Sequence, residues 1–235
     1  MSHWGFLEPY IRAWRKSLNG DISTTKSRFH AYLDMLFIDH GLFRYFYANR
    51  FKVAGQVERQ NHPPPLVIAR AARRGVRTVI NLRGDTGFGS DLLSREACRR
   101  HGLTLVDFKV YSRRAPSREL ILEAKQLFDS VQYPILMHCK SGADRAGLMS
   151  ALYLILHEGQ PVAEAKKQLR WFYGHIRLTK TGIMDYFFET YEQANRQQAV
   201  SFLDWVRNDY DAQALQSTFK VNRWGILLDR IMNRE

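Results

Sequence analysis

The chain has 235 residues, of which 45% are hydrophobic, and its formal net charge is +12. This length allows one sizeable core with terminal extensions, and the apolar content excludes a chain that is disordered throughout. The excess of basic residues favours anionic partners, although a generally basic, solvated surface is the plain alternative. No zinc-finger, RNA-recognition or basic-zipper pattern occurs, so nucleic acid is not an expected partner.

Two features of the sequence bear on location. No apolar run approaches the length of a membrane span, and residues 1–9 lack the basic-then-apolar layout of a secretory signal. We therefore expect a cytoplasmic protein in which the two cysteines, Cys98 and Cys139, stay reduced.

Residues 1–50 are predicted to form a helical, aromatic-rich N-terminal extension. One side would carry Tyr10, Ile11, Trp14 and Leu18, and another side basic residues. Two interpretations stay open. The extension packs on the rest of the protein as a brace, or it makes a peripheral contact with an anionic membrane, at the inner face of that membrane.

Residues 51–195 alternate between strand-like and helix-like segments and are predicted to form the main domain. The predicted helices cover residues 65–74, 91–102, 117–131, 145–156, 162–173 and 182–195, and the predicted strands cover 77–82, 103–110 and 133–137. This order predicts an α/β fold with three layers, in which helices flank a mostly parallel central sheet. Residues 196–235 are predicted to form a helical C-terminal extension packed on the domain.

The segment with the clearest chemistry is His138-Cys139-Lys140-Ser141-Gly142-Ala143-Asp144-Arg145-Ala146-Gly147, which we call the phosphate loop. It lies between an apolar strand and a buried helix, so successive backbone N–H groups can form an anion-binding nest at the helix N-terminus. A thiol held there is expected to ionise near neutral pH and to act as a nucleophile. Arg145 can bind phosphate oxygens in a bidentate manner. The expected phosphate-binding positions are Lys140, Ser141, Gly142, Ala143, Ala146 and Gly147.

The strand, the Cys-x5-Arg spacing and the following helix resemble the protein tyrosine and dual-specificity phosphatase superfamily. The resemblance covers roughly residues 51–191 and includes the segment Val79-Ile80-Asn81-Leu82-Arg83. It implies hydrolysis of phosphomonoesters through a phosphocysteine intermediate, with Cys139 as nucleophile and Arg145 as the transition-state clamp. No cofactor or metal is implied.

The sequence departs from the usual pattern of that superfamily in two ways. Ala146 stands where a Ser or Thr usually assists the cysteine as leaving group. The loop 111–116, where a general-acid Asp is common, holds no acid, and Asp107 lies earlier, inside a strand. The Asp144-Arg145 pair resembles phosphatases that keep a proposed acid inside the loop, such as myotubularin and Sac-type phosphoinositide phosphatases. Asp144 is therefore the expected acid or else a scaffold of the loop, with Asp107 a minor contender.

Three supporting residues are predicted around the loop. Lys140 would face a polyanionic head group or lie solvated at the rim, Arg113 would grip a second phosphate or be solvated, and His138 would orient the loop through hydrogen bonds. Cys98 is predicted to be a core residue, and the Gly-rich residues 84–90 to be an ordinary turn. His175 lies in a predicted helix–helix connection that could line the site, although residues in such connections are more often solvent-facing.

The sequence thus predicts a cysteine-dependent phosphatase acting on lipid-linked or polyphosphorylated substrates or on phosphotyrosine protein. The alternatives are a catalytically inactive phosphate-binding module and, less favoured, sulfur transfer or arsenate reduction, for which no second cysteine lies near Cys139.

Overall fold

The computed structural model describes Ala13, residues 20–221 and residues 225–228. A five-stranded sheet lies at its centre, formed by β1 (Phe51–Ala54), β2 (Val57–Gln60), β3 (Thr78–Asn81), β4 (Thr104–Asp107) and β5 (Ile135–His138). The spatial order is β1-β2-β5-β3-β4, with β1 antiparallel to β2 and the other neighbours parallel. The expected α/β fold with a mostly parallel sheet is confirmed.

The α-helices of these residues are, in chain order, α1 (Thr25–Leu33), α2 (Gly41–Phe46), α3 (Pro65–Arg73), α4 (Gly89–Arg100), α5 (Arg118–Ser130), α6 (Asp144–Leu156), α7 (Val162–Ala165), α8 (Ile183–Gln197), α9 (Phe202–Asn208) and α10 (Ala212–Thr218). A π-helical turn over Asp34–Ile38 and 3-10 turns over Lys166–Gln168, Trp171–Tyr173 and Lys180–Gly182 join them. The prediction of one helix over residues 162–173 is therefore wrong, since α7 ends at Ala165.

The strands separate two hydrophobic layers because neighbouring side chains of a strand lie on opposite faces of the sheet. Ile80 and Met137 belong to the larger core, which α5, α6 and α8 complete. Val79 and Leu136 belong to a second core with α3 and α4, and buried Cys98 lies there, as predicted. Helices thus cover both faces of the sheet, which gives the three predicted layers.

The terminal segments pack against this central unit. On the N-terminal side, Arg28 of α1 forms an ion pair at 2.6 Å with Glu96 of α4. On the C-terminal side, Phe202 and Trp205 of α9 are buried in the larger core, and the Tyr210 hydroxyl donates to the carbonyl of Pro116 at 2.7 Å.

The predicted aromatic face of residues 1–18 lies outside the described residues. Among the helices that are described, none is both long and apolar enough to span a membrane.

The parallel strands end at one level of the sheet. His138 of β5 is aligned with Gln60 of β2 and with Asn81 of β3, and Asn81 is in turn aligned with Asp107 of β4. The chain therefore leaves β2, β3 and β5 at the same edge, where ligand sites of such sheets form. Cys139 is the first residue beyond β5.

Candidate active site

The phosphate loop connects the fully buried strand β5 to the N-terminus of α6, as the sequence predicted. Cys139 is 1% exposed, and the backbone N–H of Gly142 donates to its Sγ at 3.2 Å. The sulfur therefore lies inside the curve of the loop and at the positive end of the α6 dipole, where negative charge is stabilised.

Two glycines allow the loop to pack this closely. Gly142 has φ +76°, and a Cβ there would lie 2.6 Å from the backbone nitrogen of Asn61. A Cβ on Gly147 would lie 2.8 Å from the side chain of Leu169 and 2.9 Å from the carbonyl of Gln168. Neither position accepts a side chain unless the backbone around it moves.

Arg59 of β2 holds the outer side of the loop. Its guanidinium, which is fully buried, donates to the carbonyls of Gly142 and Ala143 at 2.7 Å each and to the carbonyl of Gln168 at 2.7 Å. Because a peptide C=O and the next N–H point in opposite directions, these bonds turn the N–H groups of residues 143 and 144 away from Arg59. The guanidinium also lies 4.6 Å from the centre of the Tyr173 ring.

Burial lowers the pKa of Arg59 to about 10, so the side chain stays charged near neutral pH. This residue was not predicted from the sequence, because it precedes the loop by many residues and lies in a strand that was not predicted. Asn49, which lies just before β1 and far from the loop in the chain, was also missed. Its side-chain amide donates to the carbonyls of Ser141 and Tyr173 at 2.8 and 2.9 Å.

The side chain of Arg145 differs from that of Arg59 in having no hydrogen bond or ion pair among the described residues. It is half-buried in the first turn of α6, next to the loop. A guanidinium in this position is available to an anion that enters the loop.

Asp144 is buried and hydrogen-bonded to His175, a side chain that was expected either to line the site or to face solvent. Its Oδ1 lies 2.7 Å from Nδ1 of His175, and Nε2 of His175 lies 2.7 Å from Oδ2 of Asp185 in α8. His175 is 1% exposed. Although burial opposes it, hydrogen bonding to the two carboxylates raises the pKa of His175 to about 9, so the ring is an imidazolium near neutral pH.

His138 does not orient the loop through hydrogen bonds, and that prediction is wrong. Both ring nitrogens are buried and have no hydrogen-bond partner within the described structure. The ring packs edge-on against His62, with centroids 4.6 Å apart. Burial and the nearby Arg83 lower the pKa of His138 to about 3, so the ring is neutral and acts through packing.

A buried acid, Asp39, organises a cluster of basic side chains beside the loop. Its carboxylate accepts two bonds from Arg83 and one from Arg44, all at 2.8 Å. Arg83 also contacts His62 at 3.0 Å, and the backbone N–H of His62 donates to the carbonyl of Lys140 at 3.2 Å. The cluster is thus linked directly to the phosphate loop.

Lys140 is half-buried at the edge of this cluster. Burial lowers its pKa; Asp39 raises it, while Arg83, Arg44 and Arg145 lower it further. The side chain therefore lies in the field of three arginines, which gives this side of the loop a positive potential.

The structure places Asp107 away from the loop. β4 is two strands from β5, which corresponds to about 10 Å. The Asp107 carboxylate accepts hydrogen bonds from Asn81 at 2.9 Å and from Arg95 at 2.7 Å. In the loop that follows, Arg113 is half-buried, and the exposed Arg114 lies 5.0 Å from the Tyr111 ring centre. Asp144, unlike Asp107, belongs to the loop that carries Cys139.

Comparison with known proteins assigns this arrangement to a family. A family model described as a DSP-PTPase phosphatase fused to NAD+ kinase matches residues 69–183, a range that contains the whole phosphate loop. Residues 69–183 belong to the dual-specificity and protein tyrosine phosphatase superfamily. Membership supports a phosphatase activity for the chain. No curated protein matches the sequence.

Several solved structures are similar to part of the chain at low identity. TpbA from P. aeruginosa is 18% identical, with a TM-score of 0.49, over 72% of this chain and 89% of TpbA. The core catalytic domain of the PP-IP phosphatase SIW14 from S. cerevisiae is 15% identical, with a TM-score of 0.48, over 63% of this chain and 91% of that one. Human DUSP28 is 16% identical, with a TM-score of 0.43, over 63% of this chain and 95% of DUSP28.

Proposed function

We propose that the chain hydrolyses phosphomonoesters through a phosphocysteine intermediate, with Cys139 as the nucleophile. The observation that carries the proposal is the loop between β5 and α6. It holds Sγ against a backbone N–H, turns its carbonyls toward Arg59, and leaves Arg145 without a partner among the described residues. A tetrahedral dianion fits such a cradle, because N–H groups and a guanidinium fork bind the equatorial oxygens of a transferring phosphoryl group.

The reaction follows from these positions in two steps. The Cys139 thiolate attacks phosphorus, an S–P bond forms, the bond from phosphorus to the leaving oxygen breaks, and that oxygen takes a proton from the Asp144 carboxyl. Water then attacks phosphorus, the S–P bond breaks, the thiolate leaves, and the proton of the water passes to the Asp144 carboxylate. Arg145 binds the phosphoryl oxygens throughout.

Asp144 is proposed as the acid because it is the carboxylate next to the phosphoryl site in the fold, in the turn that also carries Arg145. A bound phosphate dianion favours the protonated form of a neighbouring carboxyl, as a proton donor requires. Ala146 supplies no hydroxyl to assist the departure of Cys139, so hydrolysis of the intermediate is expected to be the slower step.

For the substrate we propose a phosphate on an anionic lipid or on a polyphosphorylated head group. Lys140 and the arginines around Asp39 give one side of the loop a positive potential. On the other side, the 3-10 turn Trp171–Tyr173 carries side chains of Trp171 and Phe172 that are 83% and 59% exposed. Exposed aromatic rings flanked by basic residues such as Arg170 suit an anionic membrane interface.

The activity is tested with an aryl phosphate, with vanadate as inhibitor and with Cys139→Ser. We expect turnover that vanadate inhibits and that Cys139→Ser abolishes. Hydrolysis that survives in Cys139→Ser would refute the mechanism. Phosphate binding without hydrolysis of any phosphoester would indicate a non-catalytic binding module instead. A panel of phospholipids, inositol phosphates and phosphotyrosine peptides then distinguishes the substrate classes.

A further inference from the structure

Three ionisable side chains form a continuous buried path away from the phosphate loop. Asp144 lies in the first turn of α6, His175 in the connection before α8, and Asp185 in α8, and both joining hydrogen bonds are 2.7 Å long. The side chain of His175 is 1% exposed, and those of Asp144 and Asp185 are 9% and 15% exposed. Two carboxylates thus hold one imidazole by both of its nitrogens, which fixes the plane and position of the ring.

The far end of this path reaches a solvent-filled groove. The groove has a volume of about 590 Å³, and both His175 and Asp185 line it. Among the described residues, Arg170 and Arg177 are the other charged side chains that line it. Asp185 can therefore exchange protons with solvent, whereas Asp144 belongs to the phosphate loop itself.

We propose that His175, held by Asp185, is a positioning residue that orients Asp144 and exchanges a proton with it in each half of the reaction. The inference rests on the proposed function, in which Asp144 is the acid. A carboxylate that accepts a hydrogen bond from a cation is stabilised in its ionised form, so by itself it is a poor proton donor. The pair avoids this difficulty, because the proton is stored on His175 until Asp144 needs it.

Proton transfer balances in both halves of the reaction. When the phosphorus–oxygen bond breaks, Oδ1 of Asp144 takes the proton from Nδ1 of His175, and Asp144 passes a proton to the leaving oxygen and ends the step as a carboxylate. The imidazole is then neutral and keeps the Nε2–H that it donates to Asp185. When water attacks the phosphocysteine, the proton of the water enters the Asp144 carboxylate, and Asp144 passes a proton to Nδ1, which restores the carboxylate and the imidazolium.

The charge environment supports this storage role. Hydrogen bonds to Asp144 and Asp185 raise the pKa of His175 to about 9, against the effect of burial, so the ring carries its second proton throughout the neutral range. A histidine with only a packing role needs neither carboxylate. His138, which makes no such bond, has its pKa lowered to about 3 by burial.

The test compares two substrates that differ in their need for a proton. A nitrophenyl phosphate releases a stable phenolate, whereas a simple alkyl phosphate releases an alkoxide that must be protonated. We expect His175→Gln to lower kcat/KM for the alkyl phosphate by about 100-fold more than for the nitrophenyl phosphate. Asp185→Asn should shift the ratio of the two kcat/KM values in the same direction by a smaller factor. Because Asp185 is more exposed than His175, this second variant keeps the test valid if His175→Gln fails to fold.

His157→Gln is the matched control, because His157 is an exposed histidine that also contacts a carboxylate, that of Asp129. The ratio of kcat/KM for the two substrates should be the same in His157→Gln as in the unaltered chain. An equal loss on both substrates in His175→Gln and Asp185→Asn would overturn the inference and leave a purely structural role. Failure of the proposed function would look different, since no Cys139-dependent hydrolysis of either substrate would then be found in the unaltered chain.

Discussion

Arg59 and Arg145 are two arginines beside the same loop that differ in what holds them. Arg59 is fully buried and gives its donors to three backbone carbonyls and one side-chain oxygen, that of Gln168. Arg145 is half-buried and makes no such bond among the described residues. Arg59 therefore shapes the anion site, and Arg145 is available to bind the anion.

Substitution by lysine separates these roles, because an ammonium group cannot reproduce the guanidinium fork. Arg59→Lys leaves buried carbonyls without donors and should lower the free energy of unfolding by about 3 kcal/mol. Arg145→Lys should change it by less than about 0.5 kcal/mol but reduce kcat/KM by about 100-fold. Urea unfolding measures the free energy of unfolding of each variant, and aryl phosphate kinetics measure its kcat/KM. Equal losses of stability in the two variants would contradict the assignment.

His175 should also leave a mark on the pH dependence of stability. Its pKa is about 9 in the folded chain and 6.5 as an ordinary value, so its contribution is complete below pH 6.5 and is lost as the pH rises through 9. The difference in unfolding free energy between the unaltered chain and His175→Gln should shrink by about 3 kcal/mol from pH 6 to pH 9. His62 and His138 are present in both chains and cancel. Parallel stability curves would show that the ring is not held as an imidazolium.

At the scale of elements, local signals predicted the parts of the fold that they control. Ser117 caps α5, as its sequence indicates, by accepting a bond from the N–H of Leu120. The apolar runs of β5 and α6 also gave the position of the phosphate loop. These features depend on residues close together in the chain, so a single sequence suffices to find them.

Two elements escaped prediction because distant contacts determine them. The hairpin β1–β2 has a buried, charged Arg59 where a strand facing the core normally has an apolar side chain. The helix expected over 162–173 is interrupted, and Arg59 binds both the carbonyl and the side chain of Gln168 next to the interruption. The pairing of Asp144 with His175 is likewise a tertiary contact that no spacing rule reveals.

The contact between β2 and the phosphate loop can be tested at Gly142. Gly142 and Gly159 both have positive φ, but a Cβ at Gly159 meets no atom within 4 Å. Gly159→Ala should therefore cost only the strain of the left-handed backbone, about 1–2 kcal/mol, without loss of activity. Gly142→Ala should cost more and lower kcat/KM by about 100-fold, because the loop must move away from Asn61. Similar effects of the two substitutions would show that the close packing is unimportant.

For the molecule as a whole, the net charge of +12 predicts an anionic partner but not where it binds. The fold places basic side chains on both sides of the phosphate loop, with Lys140 on one side and Arg170 beside the exposed Trp171 and Phe172 on the other. Asn49 connects these sides, because its amide bonds both Ser141 and Tyr173. A surface that binds a lipid interface through this turn would therefore lie next to the catalytic cysteine.

Sedimentation with vesicles tests this orientation. Transfer of an aromatic side chain from water to an apolar phase is worth about 1.5–3 kcal/mol, so the double substitution Trp171→Ser and Phe172→Ser should weaken binding to anionic vesicles by at least about 10-fold. Phe29→Ser is the matched control, since Phe29 is 60% exposed on α1, away from the loop. Binding should also fall as salt is raised and be weak on neutral vesicles, because about 1 kcal/mol per basic residue comes from the surface potential. Hydrolysis of soluble aryl phosphates should be unchanged in both variants. If the double variant then binds vesicles as well as the control, this turn does not contact the membrane. In that case the basic cluster around Lys140 would serve a polyphosphorylated soluble substrate.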